Sequence, residues 1–248
     1  MRSMAKNKLY KLLKSVNHLI VLALSMLLLF VASSCNEKKT YSGDKEGRIV
    51  YDVTYPYEEP SLMLDLYPKE LNFYFKGDLM NSELKSSYDL ISSGLIIDNK
   101  RKEYTQLFKN MRDRHVIKLD EEDTHDWIEQ YPTLHFEPTK EEVEIVGKKC
   151  HKVLAHFNDG KSAPLELYCT KELDLPADNW WNQYDGVDGF LLGYDIEMYG
   201  KRMRVRAREI IYEPVNDLKF RIPVNYEEVS PKVMNEKLLA MVTEYTGK

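Results

Sequence analysis

Cysteine is scarce, with three in 248 residues, and none belongs to a C-x-x-C pair. That absence argues against a zinc ribbon or a thioredoxin-type redox site. His115, His125, His135, His151 and His156 do not recur at metal-ligand spacing. His151 and His156 lie an odd number of residues apart, so on one strand they face opposite ways. No serine stands in a G-x-S-x-G setting and no Cys–His nucleophile is indicated. The acids Asp120, Glu121, Glu122, Asp123 and Asp126 lack the alternating Asp/Asn pattern with glycine of a calcium loop, and they read as a solvated helix start. No motif requires a metal or a cofactor. Basic excess is also missing: the net charge is −5, so nucleic acid is not an expected partner. Together these absences point away from an enzyme. A hydrolase whose paired carboxylates meet only in the folded chain stays open.

The chain also lacks an apolar run long enough to span a bilayer. The longest, Leu19 to Ala32, is shorter than the ~20 residues needed to cross ~30 Å of hydrocarbon. It follows Arg2, Lys6, Lys8, Lys11 and Lys14 with no acid among them, and small residues come after it. A basic region, an apolar stretch and small residues make an export signal. Ala32-Ser33-Ser34-Cys35 resembles the lipobox of bacterial lipoproteins, although Ala32 stands where that motif more often has leucine. The resemblance implies removal of residues 1–34 and acylation of Cys35, with two or three acyl chains holding the protein to a membrane. Each buried CH₂ contributes about 0.8 kcal/mol, and stable anchoring takes more than one chain. An ordinary signal cleaved near Ser34 would instead leave Cys35 incidental. Residues 35–46 read as a polar tether, and the absence of aspartate directly after Cys35 implies retention at the outer rather than the inner membrane of the cell envelope.

Beyond the tether there is no Pro/Gly/Ser-rich linker and no internal repeat, so residues 47–248 read as one domain. Seventeen tyrosines and many short Val/Ile segments favour strands. Arg48–Tyr55 opens the domain. Leu71–Phe75 with Leu79–Lys85, and Leu90–Ile97 with Lys102–Lys109, read as hairpins. Glu121–Tyr131 reads as a helix closed by Pro132, and Glu142–Val146 as a short strand. Asp174–Gly189 reads as a loop, and Phe190–Tyr199 with Arg202–Tyr212 as a hairpin about Gly200-Lys201. Ser230 and Pro231 start a last helix with Met234, Leu238, Met241, Val242 and Tyr245 on one face. The expected fold is therefore mainly β (α+β), a curved antiparallel sheet or open barrel with a few packed helices and an amphipathic C-terminal one.

Lys149–Phe157 and Pro164–Thr170 flank an Asp159-Gly160 turn signal. Pairing across a two-residue turn there sets Leu154 opposite Leu165 and Cys150 opposite Cys169. Opposed residues lie within disulfide range, so a Cys150–Cys169 bridge is expected. Two unpaired buried thiols, or a register shifted by a bulge, are the alternatives.

Ile145-Val146-Gly147-Lys148-Lys149-Cys150-His151-Lys152-Val153 resembles the I-x-G-x-x-C-x-K segment of a group of envelope lipoproteins related to the GLPGLI family. Tyr168-Cys169-Thr170, Gly189-Phe190-Leu191-Leu192-Gly193-Tyr194 and Phe220-Arg221-Ile222-Pro223-Val224-Asn225-Tyr226 follow in that group's order, as does Ile96-Ile97-Asp98-Asn99-Lys100 before them. A proline is missing from the third segment, and Asn225 replaces glycine in the fourth. The likeness spans most of residues 47–230. It implies the lipoprotein-carrier fold of LolA and LolB: an open half-barrel, helices on its concave side, sheltering acyl chains or other apolar ligands. Acylation of Cys35 would exclude a soluble shuttle and leave a tethered receiver or scaffold.

Two features remain as site candidates. Trp180 and Trp181 in the Asp/Asn loop are lid candidates for a ligand, or plugs for the open end of the sheet. Arg202, Arg204, Arg206 and Arg208 line one strand face. Pairing about Gly200-Lys201 sets Glu197 opposite Arg204 and Asp195 opposite Arg206, a salt-bridged outer face that leaves Arg202 and Arg208 for a small anion. The functional expectation is a non-enzymatic anchored lipoprotein with an apolar or amphipathic ligand, or else an interaction module that holds an envelope protein and has no cavity. Metabolic labelling with a tagged fatty acid checks the anchor: the wild type takes the label and Cys35→Ala does not.

Overall fold

The computed structural model describes residues 45–59, 67–86, 89–198 and 201–246. The expected export signal, Cys35 and most of the tether lie outside the described residues. Twelve strands form one sheet. They are β1 (Glu46–Thr54), β2 (Glu70–Lys76), β3 (Leu79–Lys85), β4 (Ile91–Asp98), β5 (Glu103–Asn110), β6 (Asp113–Leu119), β7 (Leu134–Ile145), β8 (Lys148–Phe157), β9 (Leu165–Thr170), β10 (Phe190–Met198), β11 (Lys201–Tyr212) and β12 (Glu227–Glu228). Two α-helices are described, α1 (Glu121–Glu129) and α2 (Pro231–Thr246), with a 3-10 turn at Asp217–Phe220.

The strand order is β12-β6-β5-β4-β3-β2-β1-β11-β10-β9-β8-β7. Among the described residues nothing pairs β7 with β12, so the sheet is open and mainly antiparallel, with β12 alone running parallel to its neighbour β6. Two local meanders, β2 to β6 and β7 to β10, meet at one distant seam, β1 with β11. The sheet is bent. Phe73 of β2 and Phe190 of β10 have ring centroids 5.4 Å apart, although β1 and β11 lie between their strands. Neighbouring strands are ~4.8 Å apart, so in a flat sheet these two backbones would be ~14 Å apart.

Alternation explains the two faces. Tyr51, Val53, Phe73, Phe75, Met80, Ile97, Tyr104, Phe108, Ile117 and Leu119 point inward and form the main core with Trp127 of α1 and Met234 and Leu238 of α2. Asp120 caps α1 by accepting from the Asp123 amide at 2.9 Å, and Ser230 caps α2 by accepting from Val233 at 3.4 Å. The outer face carries a smaller cluster of Ile96, Leu107 and Val116, covered by Phe220, Ile222 and Tyr226 of the segment after β11. In that segment Asn225 stands at φ +84°, a left-handed conformation that asparagine tolerates better than most residues.

The hairpins at β2–β3 and β4–β5, and both helices, stand where the sequence places them; the β10–β11 hairpin is also there, with its pairing shifted. Three further features depart from expectation. β6 is absent from the sequence reading, because Asp113-Arg114-His115 masks its short apolar run. β7 begins at Leu134, well before Glu142, and carries Pro138 at a bulge. The third departure is the cysteine pair. Cys150 and Cys169 are both free and buried, and His151, not Cys150, stands opposite Cys169. The turn is the cause. Asp159 accepts from the Lys161 and Ser162 amides at 2.9 and 3.0 Å, which extends the connection, and the last strand pair is Ala155 with Leu165. A one-residue slip turns every side chain to the other face. Cys150 accordingly joins the main core and Cys169 a second cluster with Leu165, Leu167 and Tyr184. Burial pushes both thiols up to about 11. Unreduced Cys35→Ala protein is expected to titrate two thiols in denaturant and none when native; zero in denaturant would restore the bridge.

Candidate functional site

The bend leaves a cavity of ≈ 170 Å³ on the inner face. Its floor is two cross-strand rows fixed by register. Phe73, Ser82, Leu95 and Gln106 stand opposite one another across β2 to β5, and Tyr51, Leu71, Leu84 and Ser93 form the adjoining row. Leu191, Tyr194 and Ile196 of β10 with Met203 and Val205 of β11 make the far wall. Ile128 and Tyr131, in and just after α1, and Trp181, Asn182 and Gln183 from the loop before β10 complete it. Among the described residues none in the wall is a carboxylate, histidine, lysine, arginine or cysteine. Burial holds the Tyr51, Tyr104 and Tyr194 hydroxyls well above the usual tyrosine range, so these are neutral groups.

The covering loop is held by one residue. Asn179, buried and at φ +53°, donates its amide to the carbonyls of Ala177, Val187 and Gly189 at 3.2, 3.0 and 3.2 Å. Tyr184 then donates to the Asp195 carbonyl at 2.6 Å, which fastens the loop to β10. The two tryptophans part company here. Trp180 is 9 % exposed, donates to Asn99 Oδ1 at 3.0 Å and carries Lys102 over its ring at 4.8 Å. It closes the gap between loop and β4–β5 turn. Trp181 stays partly exposed, stacks on Phe73 with centroids 6.4 Å apart, and lines the cavity. One ring is a plug and its neighbour is part of the cavity roof.

The arginine ladder lies on the other face, and its register differs from expectation. Met198 pairs with Lys201, so Asp195 faces Arg204 and Glu197 faces Arg202. Moving the turn centre by one residue keeps the faces and changes each partner by two. Asp195, 0 % exposed, receives Arg204 Nε at 3.0 Å, Arg206 Nη2 at 3.2 Å and the Tyr57 hydroxyl at 3.1 Å. Gly193 leaves the space for this, since a Cβ there would sit 2.8 Å from the Arg206 Cδ. Arg202 and Arg208, expected as free anion contacts, are both engaged. Arg208 spans Asp52 at 2.6 Å and Glu70 at 2.8 Å. Arg202 donates to the Ala163 and Pro164 carbonyls, lies 3.6 Å from Asp195 and stacks on Tyr57 at 4.3 Å. Neither guanidinium is left without partners, as the strand pattern alone suggests it would be. Among the described residues no three His, Cys, Asp or Glu gather as a metal site.

Sequence pattern does not single out Gln106, Trp127, Asn179 or Tyr184, whose roles depend on partners elsewhere in the chain. Gln106 alone had a signal, as a polar residue in the inward half of the Tyr104-Thr105-Gln106-Leu107-Phe108 alternation.

No protein-family model and no curated protein matches the chain significantly. The chain superposes on PNGF-II in space group P21 with TM-score 0.50 and 16% identity, over 78% of this chain and 33% of that one. PNGF-II in space group C2 gives 0.48 and 14%, over 79% and 33%. An uncharacterized conserved protein from Thermus thermophilus gives 0.40 and 15%, over 75% and 91%. The chain thus spans about a third of PNGF-II, and at such identity the likeness concerns the fold alone.

Burial by itself would raise the Asp195 pKa, but the Arg204 hydrogen bond and the Arg206 charge outweigh it and hold the carboxyl below its ordinary range. Its stabilisation is therefore full above about pH 4, the ordinary aspartate value, and is lost as pH falls through the lower folded value. Asp195→Asn is expected to cost on the order of 3 kcal/mol, toward the low end for breaking a buried pair because the arginines keep partial water contact. Denaturant melts across pH 2–7 should show a shallower acid limb in the variant.

Proposed function

We propose that the protein is a non-enzymatic, lipid-anchored envelope lipoprotein whose bent sheet shelters a small apolar or amphipathic ligand beneath Trp181. The covered inner cavity carries this reading. Its wall is largely aromatic and aliphatic, it is assembled from strands on both sides of the seam, and it holds no charged side chain among the described residues. Pockets of this kind, apolar with a few neutral polar groups, suit uncharged ligands. An acid–base or nucleophilic reaction would need groups that this wall does not offer. The half-barrel of the lipoprotein-carrier type and the kinship with GLPGLI-related lipoproteins belong to the same reading, supported by the bent open sheet and the segments from Ile145 to Tyr226. Anchoring through Cys35 would keep such a protein at one membrane, as a receiver or holder.

The tryptophans give the test. Trp180→Ala should cost about 3–5 kcal/mol, as for a buried tryptophan, with ligand retention unchanged in the protein that folds. Trp181→Ala should lose less than about 3 kcal/mol but at least about tenfold in retention. Retention is measured by mass spectrometry of small apolar molecules extracted from the purified, folded chain. A wild type that carries and takes up none would leave the interaction-module reading.

A further inference from the structure

Gln106 is the one inward-facing side chain of the floor whose hydrogen bonds fix its orientation and leave a donor over. Its Oε1 accepts from the Trp127 indole at 3.0 Å and from the Tyr104 hydroxyl at 3.1 Å. An indole N–H can only donate, so the atom that it meets must be the amide oxygen. The amide nitrogen is then turned the other way, and no described residue accepts from it. Gln106 is 6 % exposed, and it lines the cavity. This donor is not sealed in the protein, and an acceptor that enters the cavity can pair with it in place of water.

Three other observations define that acceptor's carrier. The cavity, ≈ 170 Å³, is of the size that holds a single aromatic ring, since a ~150 Å³ apolar cavity takes up benzene. Leu95 stands directly between Ser82 and Gln106 in the row, so the polar atoms are separated by an apolar stretch. Among the described residues no cationic side chain lines the cavity to offset a negative ligand. We infer that Gln106 is the recognition residue of this cavity, and that its ligand is an uncharged, ring-sized molecule presenting one hydrogen-bond acceptor, such as a carbonyl oxygen, to the Gln106 amide nitrogen. This rests on the cavity reading above. It narrows that reading, because a long acyl chain would leave most of its length outside.

The test uses the full chain in liposomes and equilibrium dialysis, corrected for empty liposomes, with three probes. Acetophenone and α-methylstyrene have one shape and differ by a carbonyl oxygen in place of a CH₂ group; benzoate adds a charge. A merely apolar cavity prefers α-methylstyrene, because the ketone must shed water. The Gln106 donor reverses that order: acetophenone is expected to bind about five- to tenfold tighter, the effect of one net hydrogen bond, and benzoate not measurably. Gln106→Leu should restore the preference for α-methylstyrene while binding persists. Equal affinities or the opposite order in the wild type would overturn the role of Gln106 and leave the cavity reading standing. Preference for benzoate would overturn the neutral ligand class. Binding of no probe would overturn the cavity reading itself. The wild-type order decides the matter even if Gln106→Leu fails to fold.

Discussion

A carboxylate with no exposed surface sits on the outer face of this sheet, one strand from the β1–β11 seam, and its compensation organises what surrounds it. Asp195 takes Arg204, Arg206 and Tyr57 on the outer face, while its backbone carbonyl takes Tyr184 from the loop that covers the inner one. An isolated buried charge costs several kcal/mol, so the strand pair and the Tyr57 segment are held to one arrangement by the need to satisfy it, and the loop is tied to the same residue through its main-chain carbonyl. Farther along the same face Arg208 joins Asp52 of β1 and Glu70 of β2. The charges therefore lie across the β1–β11 seam, and the cavity lies behind them.

Much of the architecture is legible from local pattern, because hairpins and caps are local. The β2–β3 and β4–β5 hairpins follow from alternation and turn residues. The last helix follows from Ser230, Pro231 and the spacing of Met234, Leu238 and Met241. Register is harder, and the two turns show why. At β10–β11 the turn lies one residue earlier than Gly200-Lys201 suggests, so the faces survive and the ion pairs change partners. At β8–β9 the Asp159 side chain lengthens the connection, the offset is odd, and Cys150 and Cys169 end on opposite faces. Which backbone amides an aspartate will bind is decided by a few tenths of an ångström, and composition does not encode it.

The site was less legible than the fold. Trp180 and Trp181 stand out as adjacent indoles, but nothing in the pair distinguishes plug from roof. That division depends on Asn99 and Phe73, which are distant in the chain. Gln106 acquires its meaning only when Trp127 arrives from α1 to claim its oxygen. Arg202 and Arg208 lost their candidacy through partners that a one-strand view cannot show: carbonyls of the β8–β9 connection and carboxylates of β1 and β2.

The seam sets an order of events. β1 is the first described strand, yet its partner β11 is among the last, with the whole of both meanders between them. Contacts near in sequence form ahead of distant ones, because closing a long loop costs entropy before any pairing rewards it. A chain threaded out from its N-terminus therefore builds each meander as it emerges, with the edge of β1 waiting for β11. The cavity draws its floor from β1 to β5 and its far wall from β10 and β11, so it does not exist as a volume until the seam shuts. The cavity is thus among the last features that folding completes.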